Sequence, residues 1–267
     1  MHALKSIAVA FSMFSAVPMP QFAWDEDALR HMLVAFPLVG LLVGVLMWCC
    51  ASLCILWSLP HQITGLLLTA LPLFVTGGIH LDGFSDTWDA LGSRREPERM
   101  RQILKDPHVG TFGVMHLVLL LLASFVLWTE LAGTWNSAGA PQSTTPGLGL
   151  LQSMSLVLSF VLSRSLSGLS VATFPLAPGD GLARSFASSA DKKAVCLGCA
   201  AIAIASSAAM VVCGSWTMVV AAAGVFAWYR FVVVRRFSGL SGDLCGWFVQ
   251  TSELWMLAAL WLTQTVG

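Results

Sequence analysis

From Met32 to Ile79 the chain carries no Asp, Glu, Lys or Arg. A charge-free run of this length exceeds the roughly 20 residues that cross a bilayer once, and Pro60, beside His61 and Gln62, divides it into two spans. Inside hydrocarbon every backbone amide must be satisfied within its own segment, so the spans are helices. The predicted fold class is all-α, a polytopic integral membrane protein. Charged residues make up only 10% of the chain, against about a quarter in soluble domains. Fourteen basic residues balance fourteen acidic ones, which excludes a basic nucleic-acid binder, and 57% hydrophobic residues exclude disorder.

Further apolar blocks run at about 110–132, 148–173, 194–213, 216–234 and 247–266, giving an expected seven transmembrane helices in a single membrane-embedded domain over residues 1–267. The N-terminal stretch to Pro20 reads as a retained interfacial segment: Pro18 and Pro20, and the missing small-x-small cleavage pattern, argue against a signal peptide. The Ser-, Thr-, Pro- and Gly-rich stretch Ser137–Gly149 reads as an exposed external loop. Six of the seven cysteines fall inside the expected spans, and Cys196 and Cys199, despite their CxxC spacing, are expected to pack as small apolar residues.

The basic residues fix an orientation. Lys5 and Arg30 precede the first span; Arg94, Arg95, Arg99, Arg101 and Lys105 follow the second; Arg184, Lys192 and Lys193 follow the fourth; Arg235 and Arg236 follow the sixth. The intervening connections have none, so the positive-inside rule puts the charged connections in the cytoplasm.

At the end of the second span stands Thr76-Gly77-Gly78-Ile79-His80-Leu81-Asp82-Gly83-Phe84-Ser85-Asp86-Thr87-Trp88-Asp89. In a helix, Asp82, Asp86 and Asp89 lie at i, i+4 and i+7 on one face, with His80 just before it. Like charges at that spacing repel, and a cation relieves the repulsion. Oxygen-only donors suit Mg²⁺, which keeps waters and bridges substrate phosphates. The plainer alternative is a solvated helix end whose negative charge favours the N-terminus. Gly77 and Gly78 are read as giving a substrate close backbone access.

Downstream, the basic stretch Ser93–Lys105 has two readings: attraction to anionic membrane lipid, favoured for most of its arginines, or a hold on a phosphorylated substrate, favoured for Lys105 and Asp106 at the turn before the third span. Arg164 and Glu253 are ionisable residues inside spans, at similar depth, expected to pair or to line one cavity. Glu130 reads as an interfacial residue. Asp243, in Gly239-Leu240-Ser241-Gly242-Asp243-Leu244-Cys245-Gly246, is placed to add a carboxylate from another loop.

Gly77–Asp89 followed by Lys105-Asp106-Pro107-His108-Val109-Gly110-Thr111-Phe112-Gly113 resembles the cobalamin synthase family, the adenosylcobinamide-GDP ribazoletransferases of bacteria and archaea. Val17-Pro18-Met19-Pro20, Phe36-Pro37-Leu38-Val39-Gly40, Ser163-Arg164, Gly181-Leu182 with Phe186, and Ser241-Gly242-Asp243 with Gly246 and Glu253 extend the resemblance over nearly the whole chain. It implies a Mg²⁺-dependent enzyme of the bacterial inner membrane that joins α-ribazole, or its 5′-phosphate, to adenosylcobinamide-GDP and releases GMP. On that footing Asp82, Asp86 and Asp89 hold metal, joined by Asp243. One carboxylate or His80 accepts the nucleophile's proton. Lys105 and Arg164 steady phosphate oxygens, and Asp106, Gly77, Gly78, Gly242 and Glu253 complete the substrate site. A homo-oligomer is compatible with this reading. The chain departs from the family's usual pattern at Ala16 and His108 (each usually Arg), Ala90 (often Gly) and Gln250 (the first Glu of a closing pair). Two other classes compete. A CDP-alcohol phosphotransferase also uses an Asp-Gly-rich motif, but here Asp86 stands where its Ala-Arg begins. A divalent-cation transporter needs acids near the bilayer midplane rather than at one surface.

Overall fold

The structure is a computed structural model that describes residues 2–20, 26–135, 150–178 and 181–266; the expected external loop Ser137–Gly149 lies outside them. In chain order the described helices are α1 (His2–Phe14), α2 (Glu26–Leu29), α3 (Met32–Leu56), α4 (His61–Thr76), α5 (Ile79–Gly92), α6 (Pro97–Ile103), α7 (Thr111–Trp135), α8 (Leu150–Thr173), α9 (Leu182–Ser189), α10 (Lys192–Val212), α11 (Trp216–Arg236) and α12 (Gly242–Val266). The charge-free run breaks at Pro60, which precedes α4 with φ −55° and ψ 143°, extended values that end one helix and launch the next.

Among the described residues five helices are long and apolar enough to cross a membrane: α3, α7, residues 153–173 of α8, α10 and α11. The expected second span takes another form. Gly77 and Gly78 both adopt left-handed backbone, with φ 64° and 78°, and α5 leaves α4 at 97°. Two successive positive φ values are open to glycine at little cost and strained for other residues, so the pair makes the corner between α4 and α5. No Cβ on Gly78 would meet an atom within 4 Å; the backbone angle, not a close approach, requires glycine there. Counting α4 with α5 as one broken span gives six, against the seven read from the sequence. The difference is α12, which has the length at 25 residues but carries Asp243, Gln250, Thr251, Ser252 and Glu253.

Helix α8 is the hub, with 72% of its spanning window buried. It packs on α3, α10 and α12. Gly44 of α3 lies so close to α8 that a Cβ would stand 2.7 Å from the Val157 carbonyl oxygen. Buried Ser155, Ser159, Ser165 and Ser170 return their hydroxyl protons to carbonyls three or four residues back, which lets polar side chains sit in an apolar bundle. Phe74, Leu119, Ile204, Val212 and Val220 are exposed on the outside, as a lipid-facing surface requires. All seven cysteines are free thiols. Buried Cys199 donates to the Leu33 carbonyl at 3.4 Å, so the CxxC pair packs as expected.

Candidate functional site

The corner at Gly77–Gly78 presents α5 to the first turns of α12. The two helices meet backbone to backbone: a Cβ on Gly83 would lie 2.6 Å from the Asp243 carbonyl oxygen, and one on Gly246 would lie 3.0 Å from the His80 carbonyl oxygen. This crossing brings the acidic face of α5 to Asp243, as the sequence led one to expect. Asp82 sits in the first turn of α5, where the unsatisfied amides favour a carboxylate. Asp86, half-buried, has its pKa pushed up to about 6 by burial first, then by the charges of Asp82, Asp243 and Asp89. Burial, with a smaller push from Asp82, also raises Asp243. Four carboxylates therefore share one electrostatic neighbourhood.

Asp89 has a further engagement that its spacing did not reveal. One of its oxygens accepts from the Gly113 amide at 3.1 Å, and its carboxylate lies where a side chain on Gly110 would have to be. It caps the N-terminus of α7 from a different helix, satisfying one of that helix's free amides. Glycine at 110 leaves the carboxylate its place.

Two hollows adjoin the crossing. One, of about 300 Å³, is walled by Met13 and Phe14 of α1, Leu33 and Phe36 of α3, Val171 of α8 and Phe186 of α9, and its lining includes Ile79 and the polar His80, Asp82, Asp243 and Cys245. The second, about 550 Å³, is a polar cleft bearing Arg101, Lys105 and Arg184 with Glu98, Ser241 and Asp243. Gly242, Asp243 and Ala183 line both. His80 is buried and packs beside the Phe14–Phe36 pair, with ring centroids at 6.3 and 5.7 Å. Burial, and then the charge of Arg164, lowers its pKa to about 3. Its Nε2 has no protein partner, which leaves a neutral imidazole nitrogen available on the cavity wall.

Arg164 and Glu253 pair, as one of the two sequence readings had it. Fully buried Arg164 forms an ion pair with Glu253, while Ser163 donates to Glu253 at 2.9 Å and accepts from Arg164 at 2.9 Å. Arg164 lines neither hollow at the crossing, and Glu253 borders a small separate cavity of about 60 Å³ with Gln250. Asp106 is outside both hollows too, accepting from the His108 backbone amide at 3.0 Å and meeting its ring at 2.8 Å. That contact lowers the Asp106 pKa.

Among the described residues no three His, Cys, Asp or Glu side chains converge tightly enough to cage a metal. The donor chemistry nonetheless fits a hard cation: oxygen-only groups, mutually repelling, two of them raised in pKa by burial first and by that repulsion second. Mg²⁺ commonly takes one or two carboxylates and completes its shell with water and phosphate oxygens, and this arrangement offers that much and no more. Sequence reasoning missed Arg101 and Arg184 as cleft residues, because arginines at a membrane surface have a lipid explanation. It also missed Phe14 and Phe36 as cavity walls, since they sit on separate helices and read as ordinary apolar positions.

The fold and site together define a polytopic helical membrane protein with a buried-walled acidic centre at one end of its bundle, opening into one apolar and one basic hollow. The chain belongs to the cobalamin-5-phosphate synthase family, whose sequence profile matches residues 6–261. It is 32% identical over 254 residues to the adenosylcobinamide-GDP ribazoletransferase of Lachnoclostridium phytofermentans, covering 94% of this chain and 91% of the relative. It is also 31% identical over 259 residues to the enzyme of that name from Desulfitobacterium hafniense, covering 96% of each, and 32% over 259 residues to that of Pseudomonas putida, covering 95% and 96%. No solved structure matches the chain.

Proposed function

We propose that the chain is a Mg²⁺-dependent adenosylcobinamide-GDP ribazoletransferase acting in the late assembly of the cobalamin nucleotide loop. It joins adenosylcobinamide-GDP to α-ribazole or its 5′-phosphate at the cytoplasmic face of the bacterial inner membrane. The observation that carries the reading is the α5–α12 crossing, which sets Asp82, Asp86 and Asp243 beside a neutral His80 and a basic cleft. Arg101, Lys105 and Arg184 from two charged connections share one cleft, and Arg101 bonds the Phe237 carbonyl beside Arg236, which supports a common cytoplasmic side.

In this reaction a ribazole hydroxyl oxygen forms a bond to the phosphorus that bears the cobinamide, the bond from that phosphorus to the bridging oxygen breaks, and GMP departs. Bound Mg²⁺ would supply charge neutralisation at the diphosphate; one or two carboxylates drawn from Asp82, Asp86 and Asp243 would hold it, with water and phosphate oxygens completing its shell. One of these carboxylates takes the hydroxyl proton, Asp86 with its pKa of about 6 being a better base than His80, whose protonated form burial and Arg164 disfavour. Lys105 provides positive charge for phosphate oxygens at the cleft. Arg164 with Glu253 holds α8 to α12 behind the centre. Asp89 fixes α7 against α5, so its contribution to metal holding is through one remaining oxygen.

The test is GMP release by the purified protein in liposomes, supplied with adenosylcobinamide-GDP, α-ribazole and Mg²⁺. Release that requires both organic substrates and stops on metal chelation is expected. No release under those conditions would overturn the reading.

A further inference from the structure

Gly242 and Asp243 belong at once to the apolar hollow and to the basic cleft. With Ala183 they form a shared boundary, or partition, between two spaces of opposite chemistry, with Asp243 on both and Asp82 on the apolar side. The apolar side is a box with one packed aromatic wall: Phe14 and Phe36 touch at 4.3 Å, Phe186 meets Phe14 edge-on at 6.4 Å, and the His80 ring flanks the pair. Phe186 is 7% exposed and Phe36 3%. Such walls favour a flat apolar ring and penalise a charged group that loses its water. The basic side has the reverse preference. Its guanidinium groups are oriented by the backbone: Arg101 donates to the Phe237 carbonyl at 2.9 Å and Arg184 to the Ala177 carbonyl at 2.7 Å. Their remaining N–H groups and the exposed Lys105 ammonium are free to meet an anion.

We propose that the partition sorts the two substrates: the box of Phe14, Phe36 and Phe186 takes the aromatic base of the acceptor, and the cleft of Arg101, Lys105 and Arg184 takes the nucleoside phosphate that leaves. This assignment rests on the transferase reading above. It places the acceptor's sugar hydroxyl and the scissile diphosphate on opposite sides of Asp243. Attack from the box then expels the leaving group into the cleft, and the new oxygen–phosphorus bond forms across the partition as the old one breaks.

Steady-state kinetics with each substrate varied in turn separates the two sides. Lys105→Gln combined with Arg184→Gln is expected to raise KM for adenosylcobinamide-GDP and the inhibition constant of GMP about tenfold or more, the loss of charged hydrogen bonds, with KM for α-ribazole within about twofold. Phe186→Trp, which fills the box, is expected to do the converse, and Phe186→Leu provides a second, smaller perturbation should the larger ring fail to fold. Equilibrium dialysis of GMP alone gives a readout independent of turnover: binding weakens about tenfold in the Lys105/Arg184 variant and is unchanged in Phe186→Leu. An active wild type whose variants show crossed effects, or equal effects on both substrates, overturns the sorting and leaves the transferase reading standing. A wild type that releases no GMP overturns the transferase reading itself.

Discussion

Asp86 carries the sharpest consequence at the residue scale. Its pKa in the fold, about 6, stands above the ordinary carboxyl value, so the metal-free fold binds this proton more tightly than the unfolded chain does. The stability it contributes is fully present below about pH 4 and is lost as pH rises through about 6. Melting temperature of the metal-free protein is expected to fall over that window, and Asp86→Asn to flatten the fall. Mg²⁺ competes with the same proton, so its stabilising effect is expected to appear as pH rises through about 6 and to be weak below it. Thermal melts from pH 4 to 8, with and without Mg²⁺, check both. Arg164 and Glu253 give a second expectation. Glu253→Gln leaves a buried guanidinium without its counter-charge and should cost about 3–5 kcal/mol, whereas replacing both partners by Met should recover much of the loss. Denaturation in detergent distinguishes this anchoring role from a direct contact with substrate, which the double replacement would not restore.

Glycines set how closely the elements approach. At Gly83 a methyl group would press on the backbone of Asp243, where no flexible side chain can yield. Gly83→Ala is therefore expected to cost about 1–3 kcal/mol and to move α5 from α12, lowering turnover even where the fold survives. Gly224 in α11 is the contrast: a Cβ there meets nothing within 4 Å. Gly224→Ala should stabilise by about 0.5–1 kcal/mol, because alanine has less backbone freedom to lose in a helix. Melting temperature and GMP release for the two variants separate site geometry from general stability.

Across the whole molecule, the single charge-free run was enough to declare a helical membrane protein, and the spacing of Asp82, Asp86 and Asp89 was enough to find the acidic centre. What the sequence hid is tertiary. The sequence reads Gly77-Gly78 as close ligand access, and the left-handed corner that the pair also forms shows only in the backbone angles and the 97° turn into α5. Asp89 looks like a third member of the acidic face until the amide it accepts from, 24 residues away, comes into view. The walls of the apolar hollow come from four helices, and no local pattern joins Phe14 to Phe186. Lipid, in turn, explains most exposed arginines well enough that the sequence favours it for Arg101 and uses Arg184 only to fix orientation. If the basic connections share the cytoplasmic face, cysteines substituted at Arg95 and Lys193 should react with an impermeant reagent in inside-out vesicles and stay protected in right-side-out ones.

The GMP release rate of Asp82→Asn, at saturating Mg²⁺ and both substrates, bears most directly on the acidic centre. Loss of a carboxylate that holds the charge-neutralising ion should cut it by about 100-fold or more, in protein that keeps the wild-type melting profile. A rate within a few-fold of wild type would contradict the account.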